Sequence, residues 1–207
     1  MDDSYIKYER ESLIEKLLFG NKMFLSLLDA VRSYKEEELW IGGGFLRTIV
    51  WDYLKQYENR TEFMDIDVFY YNPNCYLVKS EDTKIEEYLR SVIQNTRWSV
   101  KNQARMHIHN KEKQYTSLHD ALMRFPETVS TIAVRLDERN KVNILAPYGY
   151  EDLFKFQIRP TPFFLNDPLK MNRYKQRVIE KKWYNLWTDV KYENIDSDDI
   201  KVLEQHM

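Results

Sequence analysis

Two carboxylates stand two positions apart at Asp65 and Asp67, in an apolar run that continues through Val68 and Phe69. Such a run predicts a strand, and residues two apart on a strand point to the same face of a sheet. Two oxygen-rich side chains on one face suit Mg²⁺, which binds proteins through a few carboxylates together with substrate phosphates. The spacing therefore predicts a magnesium site at Asp65 and Asp67. The alternative is a solvated strand end, which is the commoner role of an isolated Asp-x-Asp.

Three of the five glycines are consecutive, at Gly42, Gly43 and Gly44. The apolar residues 39–41 before them predict a short strand, and residues 45–55 after them have apolar side chains at helical spacing. A strand that enters a helix through glycines brings backbone N–H groups and the positive helix end toward one point. Because glycine lets a bulky anion approach the main chain closely, this turn is predicted to bind phosphate. A tight turn without a ligand is the alternative.

The overall composition is that of a soluble globular protein. The 207 residues include 43% hydrophobic and 31% charged residues, with a formal net charge of -2. This charge argues against a broad non-specific nucleic-acid surface, and the single Cys75 excludes an internal disulfide. No apolar stretch approaches the length of a membrane span, and the acidic start is unlike a signal peptide. We therefore expect a cytoplasmic protein with no membrane partner.

Helical and strand patterns alternate along the chain. They predict an α+β fold in which helices flank a mixed β-sheet. We expect a helical segment at 1–35, a core at 36–160, and a C-terminal linker and helix at 161–207 that pack on the core. The expected elements are helices at 4–34 with a break at Gly20-Asn21, 45–55, 80–93 (capped by Ser80 or Asp82), 117–124, 151–156 and 169–187, and strands at 39–41, 65–70, 98–107, 129–136 and 141–145.

The glycine turn and the carboxylate pair together resemble a known motif. Residues 42–47 followed by 65–67 are similar to the first motif of the polymerase-β-type nucleotidyltransferase superfamily, and most similar to the head domain of CCA-adding enzymes and bacterial poly(A) polymerases. Residues 127–134, then 146–153 and Arg159, resemble that family's later motif. Residues 51–52, 102–107 and 126–128 resemble a small bacterial nucleotidyltransferase-like family. The matches lie in the family's order and span residues 39 to 159.

The resemblance implies a nucleotidyltransferase-like fold and a reaction. Asp65 and Asp67 would be the catalytic metal ligands, and Gly43 and Gly44 would hold the β and γ phosphates with positive charge from Arg47. Glu127 would be the nucleotide-binding acid of the second motif. The reaction would transfer a nucleotidyl group from a Mg²⁺-bound nucleoside triphosphate to an unidentified hydroxyl, with release of pyrophosphate.

Several residues depart from the family's pattern. Thr48 stands where CCA-adding enzymes carry an acid, and Phe125-Pro126 replaces two arginines. Many superfamily members place a third carboxylate on the next strand, but residues 100–103 contain no acid. The alternative function is therefore a weakly active or inactive nucleotide-binding or interaction protein. We also expect no room for the body and tail domains that hold tRNA in CCA-adding enzymes, which argues against transfer of CCA to tRNA and leaves the acceptor open between RNA and a small molecule.

Other polar residues have two interpretations each. Asn102 and Arg105, together with His107, could form a polar wall of the site in which Arg105 contacts phosphate, or a hydrogen-bonded strand end with a structural role. A metal site at His107 and His109 lacks a third ligand at suitable spacing. Asp152 is expected to brace a loop. The basic C-terminal helix could approach RNA, but we favour tryptophans in the core and lysines in water.

Overall fold

The computed structural model describes residues 3–58, 61–63, 65–75 and 79–195. The part of the predicted C-terminal segment beyond residue 195 lies outside the described residues. In chain order the elements are α1 (Asp3–Phe19), α2 (Lys22–Ser33), β1 (Trp40–Gly42), α3 (Gly43–Leu54), β2 (Ile66–Tyr70), α4 (Ser80–Val92), β3 (Trp98–Asn102), α5 (Met106–Asn110), α6 (Leu118–Met123), β4 (Ala133–Leu136), β5 (Val142–Leu145), α7 (Glu151–Phe154), β6 (Gln157–Ile158), α8 (Pro162–Leu165), α9 (Pro168–Lys181), α10 (Trp183–Leu186) and β7 (Lys191–Tyr192).

A five-stranded mixed sheet forms the centre of the fold, in the order β3-β2-β1-β4-β5. Strand β1 is antiparallel to both β2 and β4, β4 and β5 form an antiparallel hairpin, and β2 is parallel to β3. The register of the parallel pair places Asp67 opposite Ser99 and Tyr70 opposite Asn102. The α+β fold with a mixed sheet and flanking helices is confirmed.

The two faces of the sheet bury different amounts of apolar surface. Ile41, Val68, Val100 and Val134 point into the main core with the apolar faces of the helices. The opposite face carries a smaller cluster of buried residues, namely Trp40, Phe69, Leu118, Leu122 and Ala133. Because side chains alternate along a strand, Asp67 lies on the same face as Phe69. Asp67 thus lies on the face with the smaller apolar cluster.

Polar side chains set several helix starts. Asn21 caps α2 by accepting hydrogen bonds from the backbone N–H groups of Met23 and Phe24, at 2.9 and 3.2 Å. The predicted break at Gly20-Asn21 is confirmed. The predicted cap of α4 by Ser80 or Asp82 is wrong, because the N-cap residue is Lys79, which makes no side-chain cap hydrogen bond.

Two predicted strands are shorter than their sequence patterns. The chain leaves β3 at Asn102 and turns into a 3₁₀ turn at Gln103–Arg105, because the Asn102 side chain accepts the Ala104 N–H and caps that turn. Likewise β4 begins at Ala133, after a 3₁₀ turn at Thr128–Ser130. The Thr131 hydroxyl donates to the Thr128 carbonyl at 2.7 Å, which holds the second turn closed.

The predicted C-terminal helix is two helices. Lys182 adopts a left-handed conformation (φ 46°) that ends α9, and α10 starts at Trp183 in a new direction. Trp183 and Trp187 are 3% and 1% exposed, so the interpretation of these tryptophans as core residues is confirmed. The Trp187 ring lies 5.0 Å from that of Trp51 in α3. No helix within the described ranges is both long and apolar enough to cross a membrane.

Candidate functional site

The carboxylate pair lies at the start of β2. Asp65 is exposed just before the strand, and Asp67 is partly buried within it. Burial raises the pKa of Asp67, and the charge of Asp65 raises it further. A hydrogen bond from Ser99 and the positive charges of Lys181 and Arg177 act in the opposite direction. Asp67 is therefore a carboxylate whose charged form is stabilised by any cation that binds beside it.

The three glycines have three different environments. A Cβ on Gly42 would lie 2.5 Å from the Phe69 ring and 3.2 Å from the Asp67 Cβ. A Cβ on Gly43 would lie 2.7 Å from the carbonyl oxygen of Ser130. On Gly44, the nearest atom would be an Arg47 Nη at 3.9 Å. Gly42 and Gly43 thus allow close packing that holds the start of α3 against Asp67, while Gly44 leaves the first turn of the helix open to a ligand.

Arg47 is buried, at 8% exposure, beside this turn. Its guanidinium lies 4.5 Å from the centre of the Trp183 ring and 5.6 Å from that of Trp51. One Nη donates to the Ser130 hydroxyl at 3.3 Å, whereas Nε has no hydrogen-bond partner among the described residues. Burial, with a smaller effect of Arg177, lowers the pKa of Arg47 to about 10 against the opposing charge of Glu127. The side chain is held rigidly with unused donor capacity.

Glu127 is fully buried and accepts a hydrogen bond from Arg177 Nε at 2.6 Å. Its second carboxylate oxygen has no partner within the described part of the chain. Glu127 therefore positions Arg177, and its burial does not favour direct contact with a ligand. Arg177 and Lys181, whose charges act on Asp67, were not predicted from the sequence, because the basic residues of this helix were expected in water. Their i,i+4 spacing shows that they share a helix face, but only the tertiary fold turns that face toward Asp67.

Asn102 and Arg105 are not brought to this site. The Tyr70–Asn102 pair lies three residues along the strands from the Asp67–Ser99 pair, which corresponds to about 10 Å. Asn102 donates to the Asn72 carbonyl at 2.8 Å, and Arg105 forms an ion pair with the buried Asp82. These contacts are those of a structural strand end.

The remaining polar candidates brace loops or stand apart. Asp152 accepts hydrogen bonds from the Thr128 hydroxyl at 2.6 Å and from Arg159 Nε at 2.7 Å, as expected of a brace. His107 Nδ1 lies 2.7 Å from the Ala104 carbonyl oxygen. Among the residues that the structure describes, no group of three or more His, Cys, Asp and Glu side chains could hold a metal ion.

The site combines an open helix N-terminus, a carboxylate pair and several cations. Asp65 and Asp67 offer oxygen ligands of the kind that Mg²⁺ uses, and the N–H groups at Gly43 and Gly44 offer donors to an anion. Arg47, Arg177 and Lys181 add positive charge around them. Such an arrangement can hold a metal-bound polyphosphate.

Comparison with solved structures identifies the same fold elsewhere. An NMR structure described as a CCA-adding enzyme head domain is 30% identical, with a TM-score of 0.78, and the match covers 87% of this chain and 94% of that one. A CCA-adding enzyme in complex with CTP is 15% identical over 93% of this chain, with a TM-score of 0.58. The Thermotoga maritima CCA-adding enzyme complexed with tRNA is 17% identical, with a TM-score of 0.53.

The last two likenesses show the fold alone. This chain spans 46% of the CTP-bound enzyme and 45% of the tRNA-bound enzyme. The search of curated proteins gave no match. A family model described as nucleotidyltransferase matches residues 29–192, which include the glycine turn, the carboxylate pair, Glu127 and α9. The chain belongs to this nucleotidyltransferase family.

Proposed function

We propose that the protein transfers a nucleotidyl group from a Mg²⁺-bound nucleoside triphosphate to a hydroxyl acceptor, with release of pyrophosphate. The observation that carries the proposal is the contact between the glycine turn and the carboxylate pair. Because a Cβ on Gly42 would lie 3.2 Å from the Asp67 Cβ, the start of α3, which would bind the phosphates, adjoins Asp67, which would bind the metal. Family membership supports the nucleotidyl-transfer chemistry.

Asp65 and Asp67 would hold Mg²⁺, since two carboxylates are enough when substrate phosphates complete the coordination. The bound ion would neutralise charge on the triphosphate and polarise the attacking hydroxyl. The N–H groups at the start of α3 would bind phosphate oxygens, and Arg47 would supply further donors from its fixed position between two tryptophan rings. Arg177, held by Glu127, and Lys181 would add charge from α9.

In the reaction the acceptor oxygen forms a bond to the α-phosphorus, and the bond from that phosphorus to the pyrophosphate oxygen breaks. The acceptor loses its proton, and pyrophosphate leaves with the negative charge of the broken bond. The protein contributes by positioning the two substrates and by stabilising the charge that develops between them.

One observation favours a second function, nucleotide binding with little or no transfer. In the parallel register, the β3 residue opposite Asp67 is Ser99, and its side chain lies on the same face of the sheet. The neighbouring strand therefore has a hydroxyl at the position where a third carboxylate would stand. A site with two carboxylates can bind a Mg²⁺-nucleotide and still lack a base or ligand needed for rapid transfer.

Label transfer separates the two functions. The protein is incubated with α-labelled nucleoside triphosphates, Mg²⁺, and cell RNA or a small-metabolite extract. We expect label in an acceptor, and a loss of at least about a hundredfold in the double variant Asp65→Asn, Asp67→Asn. The matched control is Glu138→Gln, whose side chain is 77% exposed. Transfer by the double variant at the wild-type rate would contradict the mechanism, whereas nucleotide binding without transfer by the wild type would support the second function.

A further inference from the structure

A large cleft lies beside Asp65. It has a volume of about 1160 Å³ and is bounded by α2, α3, residues 61–63 and 65 before β2, and the residues before β3. Asp65 lines both this cleft and the candidate site, whereas Arg47 and Gly42–Gly44 do not line the cleft. The cleft is somewhat larger than the roughly 300–1,000 Å³ of ordinary small-molecule sites, so a substrate of that size fits.

The inner wall of the cleft is apolar and partly aromatic. Phe63, Met23 and Tyr53 supply its accessible apolar surface, and the buried side chains of Phe24, Leu27, Ile49 and Ile66 lie behind them. Aromatic and branched side chains of this kind bind a ring or an alkyl body by dispersion and by removal of apolar surface from water.

The charged residues of the cleft are predominantly acidic. The described lining residues include three acids, Asp52, Glu62 and Asp65, and one cation, Arg97. Asp52 is held in place by the Thr61 N–H and hydroxyl, both at 2.8 Å, and by Trp187 Nε1 at 2.9 Å. An RNA chain would bring a phosphate with every nucleotide, and grooves that bind it are lined by Lys and Arg. The lining charge therefore disfavours RNA.

We propose that this cleft binds the acceptor, and that the acceptor is a neutral or cationic small molecule that carries a hydroxyl on an apolar or aromatic body. This inference rests on the proposed nucleotidyl transfer. The hydroxyl enters from the cleft, its oxygen bonds to the α-phosphorus, and the bond to pyrophosphate breaks. The hydroxyl proton passes to water, and Asp65, which lines the cleft, joins it to the nucleotide site.

The matched variants are Ser26→Trp and Ser12→Trp. Ser26 lies on the exposed side of α2 and lines the cleft, so an indole there would occupy part of it and obstruct a ligand. Ser12 is equally exposed on α1, outside the cleft lining. Both variants are expected to fold, because neither residue is buried.

The first experiment measures binding by NMR titration with two probes of similar size and opposite charge, tyramine and 4-hydroxyphenylacetate. We expect tyramine to shift resonances of Phe24 and Phe63 and to bind about tenfold more tightly than the anion. Ser26→Trp should abolish these shifts and Ser12→Trp should retain them. Equal affinity for the two probes, or no shift at the cleft residues, would overturn the proposal.

The second experiment compares label transfer to a metabolite extract and to total RNA, with Mg²⁺-nucleotide binding measured separately by equilibrium dialysis. We expect label in a small product, and a loss of about tenfold or more in Ser26→Trp. Label on RNA, or full transfer by Ser26→Trp, contradicts the cleft assignment alone. Failure of the wild type to bind nucleotide contradicts the proposed function instead.

Discussion

The two ends of the β2–β3 pair each carry a partly or fully buried aspartate, and their surroundings differ. At one end Asp82 accepts hydrogen bonds from the Tyr70 hydroxyl at 2.7 Å and the Asn102 N–H at 3.3 Å, and it pairs with Arg105. At the other end Asp67 has a hydrogen bond from Ser99 and a second acid, Asp65, beside it. Within the described part of the chain, donors saturate the Asp82 carboxylate, whereas the Asp67 carboxylate keeps acceptor capacity that no donor uses.

This difference separates a structural charge from one that can serve a ligand. A buried carboxylate whose donors are all supplied by the protein ties elements together, in this case α4, β2, β3 and the following 3₁₀ turn. A carboxylate with few donors and a like-charged neighbour is destabilised by folding and gains from binding a cation. We therefore expect ligand binding at the Asp67 end, where the carboxylate has acceptor capacity that the protein's own donors do not use.

The sharpest test of the saturated end is Asp82→Ala. We expect the free energy of unfolding to fall by about 3–5 kcal/mol, because Arg105 would keep a nearly buried charge without its partner. Denaturant unfolding measures the change. The double variant Asp82→Ala, Arg105→Met should recover part of the loss, since it removes the unpaired charge, and no recovery would show that Arg105 is not the cause.

A smaller loss is expected from Arg177→Met at the unsaturated end. The fully buried Glu127 would lose its donor but keep the nearby charge of Arg47, so the expected loss is about 1–3 kcal/mol in the free energy of unfolding. Lys181→Met should change stability by no more than about 0.5 kcal/mol, because Lys181 is exposed.

Lys181→Met should nevertheless weaken Mg²⁺-nucleotide binding by roughly tenfold, or about 1.4 kcal/mol, by equilibrium dialysis. Lys16→Met, an exposed residue on α1, is the control. If Lys181→Met binds nucleotide as tightly as Lys16→Met, α9 is not part of the nucleotide site.

Asp67→Asn should change stability in the opposite direction. Because the pKa of Asp67 is raised in the folded protein, the native state binds its proton more tightly than the unfolded state does. That advantage is present at pH below the ordinary Asp pKa and is lost as pH rises through the raised value. Asn does not titrate, so the variant should become more stable than the wild type as pH increases toward 7.

Thermal unfolding in a chelator from pH 3 to pH 7 measures this difference. Added Mg²⁺ should reduce it, since the ion stabilises the wild type alone. A variant that is less stable than the wild type at every pH would show that Asp67 has the same structural role as Asp82.

The smallest effect is expected from Ser99→Ala. Loss of its hydrogen bond should raise the pKa of Asp67 further, with a stability change of about 0.5 kcal/mol or less. Carboxyl ¹³C NMR of Asp67 measures the shift. An unchanged titration would mean that the Ser99 hydroxyl does not contact the carboxylate in solution.

The local patterns were sufficient for most elements of the fold. The apolar run around Asp67 predicted β2, the patterns at 129–136 and 141–145 predicted β4 and β5, and Gly20-Asn21 predicted the break between α1 and α2. The coupling of Gly42–Gly44 to Asp67 was also predicted, because both motifs flank adjacent elements and occur together in one resembled family. These features depend on residues that are close in sequence or joined by one strand pairing.

Features that depend on long-range packing were not predictable. The sequence 98–107 contains no signal that Asn102 would cap a turn and end β3, since the side chain competes with the strand for backbone donors. Nothing near Asp82 shows that Arg105 is its partner. The sequence around Arg177 and Lys181 is that of an ordinary basic helix. Their position near Asp67 depends on the fold, in which the chain turns at Lys182 and places Trp183 against Arg47.

The stacking of Trp183 on Arg47 has a consequence for protein engineering. Trp187 also donates to Asp52, so residues beyond 180 complete the surroundings of α3. A chimera that transplants only residues 36–160 would leave Trp51 uncovered and remove the partner of Glu127. Strand β7 also pairs with β6, and the Tyr174 hydroxyl donates to the Glu193 carbonyl, so the smallest portable module extends through Glu193 and a fusion junction belongs after that residue.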